Sequence, residues 1–144
     1  MILGTLHLDR KPQPKQRART VEVGEEKHIT YTPPATVAYE RLIGMSWRGP
    51  RLFTGAVKVT VAVIEGRTAH PGDLDNYVKV VLDGLQGVAF VNDKQVVGIA
   101  ASIIRGDSRP GLDVIVEGWD APAAPPSAAP RPVALGQLRR GRGR

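Results

Sequence analysis

The stretch His70–Gly98, HPGDLDNYVKVVLDGLQGVAFVNDKQVVG, collects Asp73, Asp75, Lys79 and Asp93. Three carboxylates meeting at one helix end repel each other unless a cation sits among them. Hard oxygen donors suit Mg²⁺ or Mn²⁺, which are held by few carboxylates together with substrate phosphate. Such an ion polarises a phosphoryl oxygen and activates water. A lysine one turn along the helix steadies the charge that develops on the phosphate. The same residues also have a plain structural reading. Asp73 is placed as a helix N-cap and Asp75 falls in the first turn, where unpaired N–H groups and the helix dipole favour acids. Lys79 follows Asp75 by four residues and Asp83 follows Lys79 by four, both common surface pairs. Asp93 is left over. It lies in a turn between the apolar runs VAFV and QVVGI, and the short unit is expected to fold it back toward the helix start.

The elements that must position these groups follow from periodicity. Residues 73–86 carry Leu74, Val78, Val81, Leu82 and Leu85 on one apolar stripe, a helix stopped by Gly87. Before it, Arg51–Glu65 alternates through Val57, Val59, Val61 and Val63, a central strand. Ile2–Asp9 reads as a strand, the proline- and cation-rich RKPQPKQRART as an extended loop, and VEVGEEKHITYT as either a hairpin or a loop. Pro33–Trp47 reads as a helix with proline in its first turn. Gln95–Gly106 and Gly111–Trp119 read as strands, with DSRP between them predicting a hairpin. The expected fold is α/β in the α+β sense: a small, mostly antiparallel or mixed sheet with helices packed on it.

Composition narrows the function classes. The 144 residues suggest one domain and contain no cysteine, which excludes disulfides and thiolate metal sites. Three scattered histidines argue against zinc. No apolar run reaches the length of a membrane span and the first residues are not a signal peptide, so a cytoplasmic protein is expected. Of the net charge of +6, five units come from the arginines of residues 121–144, leaving +1 on residues 1–120. Arg10, Lys11, Lys15, Arg17 and Arg19 form a second basic block. A nearly neutral body with basic segments suits a polyanion such as DNA. Residues 1–120 are therefore read as the folded domain, and the Ala/Pro-rich, then Arg/Gly-rich residues 121–144 as a disordered tail.

DLDNYVKVVLDGL followed by VNDKQVV resembles the RusA family of Holliday-junction resolvases, whose core reads D-x-D-N-x-x-K and later D-D-x-Q-V. KPQPKQRART is similar to the P-x-P-K-x-R-x-R segment of its phage and prophage members, and YTPPATVAYERLI to the start of their first helix. The resemblance spans about residues 5–118. It implies a small homodimeric endonuclease of bacterial or phage origin that needs Mg²⁺, with Mn²⁺ as a substitute. Such an enzyme nicks branched, four-way DNA symmetrically. It maps the catalytic and metal-binding acids onto Asp73, Asp75 and Asp93, the catalytic lysine onto Lys79, and a supporting asparagine onto Asn76. Two departures stand out. The acidic pair before Q-V is Asn92-Asp93 here, and the basic residue usual before D-x-D is replaced by HPG, with Arg67 and His70 nearby.

Lys11, Lys15, Arg17, Arg19, Arg67 and His70 are the expected DNA contacts, with phosphates as their targets. The alternative is a non-catalytic junction-binding module that uses the basic segments alone.

Overall fold

The computed structural model describes residues 1–120. Their order is β1 (Ile2–Leu8), β2 (Arg19–Glu22), β3 (His28–Tyr31), α1 (Pro34–Ser46), β4 (Val57–Gly66), α2 (Leu74–Leu85), a 3-10 turn (Asp93–Gln95), β5 (Val96–Arg105) and β6 (Gly111–Gly118). Four strands form a mixed sheet in the order β1-β6-β4-β5, and β2 and β3 form a separate two-stranded ribbon. The architecture is the expected α+β fold. The valine alternation of β4 explains its interior place. Val57, Val59, Val61 and Val63 are all buried against Tyr39 and Ile43 of α1 and Val80, Val81 and Leu85 of α2. Each buried valine or leucine contributes about 1.5–3 kcal/mol, so this stripe holds the helices more firmly than propensity does. Gly84 lets α1 approach closely, because a Cβ there would lie 2.8 Å from the Glu40 carbonyl oxygen and from Ile43.

Both helices fall where periodicity puts them, with Pro33 and Trp47 capping α1 and Asp73 and Gln86 capping α2. VEVGEEKHITYT contributes to the antiparallel ribbon, whose strands are exposed throughout. The strand expected from Arg51 begins only at Val57. Residues 51–56 turn instead, with Leu52 at φ 56°.

One pairing differs from expectation. β5 and β6 are not a hairpin, because β4 lies between them. β5 runs parallel to β4, with Val57 opposite Val96, and β6 runs antiparallel to β4. Gly106, at φ 114°, and the residues up to Pro110 carry the chain over the end of β4. The turn chemistry of DSRP is thus spent on a crossover. The buried valines of β4 need a partner on both sides, and that demand overrides the local signal. Among the described residues, no helix is long and apolar enough to cross a membrane. The expectation for residues 121–144 lies outside the described residues.

Candidate active site

α2 begins where β4 has ended and a short loop has passed. Asp73 is its N-cap by backbone: its carbonyl accepts the N–H groups of Asn76 at 3.1 Å and Tyr77 at 3.2 Å. Its carboxylate makes no capping hydrogen bond. Capping therefore does not occupy that side chain, which is exposed and open to another partner. Asp75 is 71% exposed and sits 3.8 Å from the Lys79 ammonium, itself 61% exposed. An exposed helical pair of this kind contributes only about 0.3–0.5 kcal/mol. Lys79 can leave it for a phosphate with little loss.

The third acid is elsewhere. The Asp93 backbone N–H donates to Gln86 Oε1 at 3.3 Å, and Gln86 is the C-cap of α2. Asp93 is therefore at the far end of the helix from Asp73 and Asp75, roughly 18 Å away for a helix of this length. This corrects the expectation that the return turn brings Asp93 back to the helix start. The cause is the parallel pairing of β4 and β5. A parallel partner must start again from the end where the first strand started, so α2 carries the chain back along the sheet before Asp93 is reached. Among the described residues, no group of three His, Cys, Asp or Glu side chains is placed to hold one metal ion.

The basic segment meets the acids at the other end. Leu8 pairs with Leu112, which pairs with Val63, so the loop after β1 starts at the same sheet end as the one where β4 runs out toward Asp73. The Lys15 backbone N–H donates to the Asn76 carbonyl at 3.0 Å. The Lys15 ammonium is bound by Asp83 and by Glu40, the latter at 3.2 Å. Burial opposes its charge, yet the two carboxylates hold its pKa above the ordinary lysine value. Its side chain is thus committed to bracing α1 and α2. Asp83 pairs with Lys15, rather than with Lys79. Lys11, Arg17 and Arg19 are exposed, Arg19 at the start of the ribbon. Arg67 is exposed and paired with Asp107, and His70 is exposed with its N–H on Thr68 Oγ1 at 3.2 Å.

Two supporting residues are ones that sequence reasoning misses. Gln95 donates to the carbonyls of Phe53 at 2.7 Å and Gly55 at 2.9 Å, and accepts the Asn92 N–H at 2.9 Å. The Asn92 side chain caps the turn by accepting the Lys94 N–H at 2.8 Å. Gln95 of the D-x-Q-V pattern is therefore the pin that fixes Asp93, and Asn92 works as a cap where the resemblance expects an acid. The second residue is Glu65, at the end of β4, only 1% exposed. It accepts hydrogen bonds from Tyr77 Oη at 2.6 Å, the Gly72 N–H at 2.7 Å and Arg105 Nε at 3.0 Å. Burial alone would raise its pKa, but these three donors together hold it below the usual carboxylate range. Burial, and then the Glu65 charge, push the Tyr77 hydroxyl well above its ordinary value. A charged residue ending an apolar strand is the available signal for Glu65.

The chain thus presents an exposed carboxylate at Asp73 and a weakly paired Asp75 and Lys79 on the first turns of one helix, with a cationic segment fastened beside them. No curated protein matches it. A family model described as endodeoxyribonuclease RusA matches residues 9–117, a span that takes in the basic segment, α2 and the Asp93 turn. The chain belongs to the RusA endodeoxyribonuclease family, the Holliday-junction resolvases.

Proposed function

We propose that this protein is a Mg²⁺-dependent endonuclease, with Mn²⁺ as a substitute, that cuts four-way or branched DNA by paired symmetric hydrolysis as a homodimer in the cytoplasm. The observation that carries the reading is the pair of exposed carboxylates, Asp73 without a capping bond and Asp75 in a weak surface pair with Lys79, beside the anchored basic segment. The donor set fits a hard divalent cation. Both are oxygen ligands, the Asp73 carboxylate makes no capping bond and Asp75 holds only the exposed pair with Lys79, and Mg²⁺ is ordinarily held by one or two carboxylates plus substrate phosphate. When bound there, the cation supplies Lewis acidity at the scissile phosphate. Lys79 releases Asp75 and stabilises the charge that grows on the phosphate oxygens. Asn76, whose carbonyl holds the Lys15 backbone, keeps the basic segment in register with the acids. Lys11, Arg17, Arg19, Arg67 and His70 bind the flanking phosphates.

Asp93 enters through the dimer. β5 is an open sheet edge, and the groove between it and α2, about 580 Å³, is lined by Leu74, Asp75, Val78, Lys79, Ile99 and Ala101. Val97 and Ile99 are 55% and 48% exposed, an apolar edge that invites a second copy. A two-fold axis across this edge sets two β5 strands antiparallel. The start of one strand then meets the end of the other. Asp93 of the partner subunit comes to Asp73 and Asp75, which supplies the third carboxylate that one chain lacks.

The test is incision of a labelled synthetic four-way junction in Mg²⁺, in Mn²⁺ and in EDTA, beside a linear duplex. Metal-dependent, symmetrically placed nicks on the junction alone are expected. Junction binding without incision in either metal would overturn the enzyme reading in favour of a non-catalytic junction-binding module.

A further inference from the structure

We infer that Glu65, Tyr77 and Arg105 clamp Gly72 and so fix the direction in which Asp73 and Asp75 leave the sheet, making these three the positioning residues of the proposed nuclease site. The inference rests on that site reading. Gly72 is the residue immediately before Asp73. Its N–H donates to Glu65 Oε2 at 2.7 Å, and its carbonyl accepts Arg105 Nη2 at 3.0 Å. Both backbone polar groups are thus gripped, one by each member of a single ion pair, since Arg105 Nε donates to Glu65 Oε1 at 3.0 Å. Tyr77 completes the ring of contacts. Its hydroxyl donates to Glu65, and its ring lies so close to Gly72 that a Cβ there would stand 2.7 Å from it.

The clamp joins four pieces of chain. Glu65 is one residue from the end of β4, Arg105 ends β5, Gly72 closes the loop, and Tyr77 sits in the first turns of α2. Strand register brings the pair together, because Gly66 is the residue opposite Arg105. Stability alone does not call for this arrangement. Glu65 is buried while Arg105 is 59% exposed, and replacing a buried charge together with its partners by apolar residues of similar volume is often neutral or stabilising. Here the charges hold one peptide on each side of Gly72, and rotation of either peptide would swing the Asp73 carboxylate. Carboxylates that bind a small cation depend on such outer contacts, whose loss typically weakens binding 10–100-fold. The HPG sequence before D-x-D contains no lysine or arginine. Arg105 brings a guanidinium to that position from a distant part of the chain.

The test uses Tyr77→Phe and Arg105→Lys in the full-length chain, with Glu65→Gln as a third variant if it folds. Tyr77→Phe removes one hydroxyl, and Arg105→Lys replaces the rigid two-donor fork on Glu65 and Gly72 with a single mobile ammonium. Four quantities are read: Mn²⁺ binding by calorimetry without DNA, kcat and KM on a four-way junction, and Tm. The expected result is Mn²⁺ binding weakened by about 10-fold or more. With it, kcat falls at limiting Mn²⁺ and recovers as Mn²⁺ is raised, KM for the junction is unchanged, and Tm falls, because each variant weakens a contact to the buried Glu65 carboxylate. Parent-like Mn²⁺ binding in both variants overturns the clamp, whether or not Tm falls. A parent protein that neither binds Mn²⁺ nor cuts the junction overturns the site reading instead.

Discussion

The Lys15 backbone is hydrogen-bonded to Asn76 at 3.0 Å, so the cationic segment is fastened to the same helical turn that carries Asp75. The Lys15 ammonium continues to Glu40 and Asp83 and joins α1 to α2. Lys15→Met should leave those two carboxylates facing each other without a counterion. The expected loss is about 1 kcal/mol, or about 4 °C in Tm. A thermal melt checks this, and an unchanged Tm would remove the bracing role.

Asp75→Asn should abolish incision of a four-way junction. Binding should stay within about threefold of the parent, about 0.6 kcal/mol, because phosphate contacts come from the basic residues. Gel-shift and incision assays on the same junction separate the two effects. A fully active variant would mean that Asp75 is outside the site.

The separation of Asp93 from Asp75 makes a sharper test. Asp75→Asn and Asp93→Asn homodimers should each be inactive. Refolded as a mixture, they should regain activity, because one of the two sites in the mixed dimer has all its acids. That dimer should nick one strand and fail to make the paired cut. If the three acids of a single chain worked together, every chain in the mixture would lack one, and the mixture would stay inactive.

The sequence makes α2, its apolar stripe and its acids plain, because a 3.6-residue period leaves a strong mark in Leu74, Val78, Val81, Leu82 and Leu85. The burial of β4 is equally plain from four alternating valines. Sheet order is less so. DSRP looks the same whether its flanking strands pair or skip over a third, and only the demand for a partner on both sides of β4 decides. That choice also decides where Asp93 goes, which is why its distance from Asp73 could not be read from spacing. Glu65 and Arg105 are 40 residues apart, and nothing local to either announces the other.

Glu65 also sets an acid limit. Its pKa is held low in the folded protein by Tyr77, Gly72 and Arg105 against the opposing effect of burial. An unfolded chain binds the proton first as pH falls, so stability falls with it. The Glu65 contribution should be complete above about pH 4.3, the ordinary glutamate value, and be lost below it as pH drops through the folded value. Tm measured from pH 7 to pH 3 should fall less steeply in Glu65→Gln than in the parent. Parallel curves would mean that other carboxylates govern acid unfolding.

Residues 121–144 bring five arginines and no acid. Their deletion should weaken junction binding and flatten its dependence on salt, by about 0.9 in the log–log slope for each duplex phosphate that is no longer neutralised. Fluorescence anisotropy over a salt series measures the slope. An identical slope would show that these arginines neutralise no phosphates.

The place of β6 has a consequence for how the protein is made. It is the last strand of the described fold to be synthesised, yet it lies between β1 and β4, pairing Ile2 with Glu117 and Val57 with Gly118. Until it emerges, β1 has no strand beside it in the sheet and β4 is bare on the side away from β5. A nascent chain cannot settle into a native-like N-terminal half. Pairings between such distant positions also make folding slow. A message cut short before codon 111 should yield aggregating chains, with two apolar strands left to pair with whatever edges they meet.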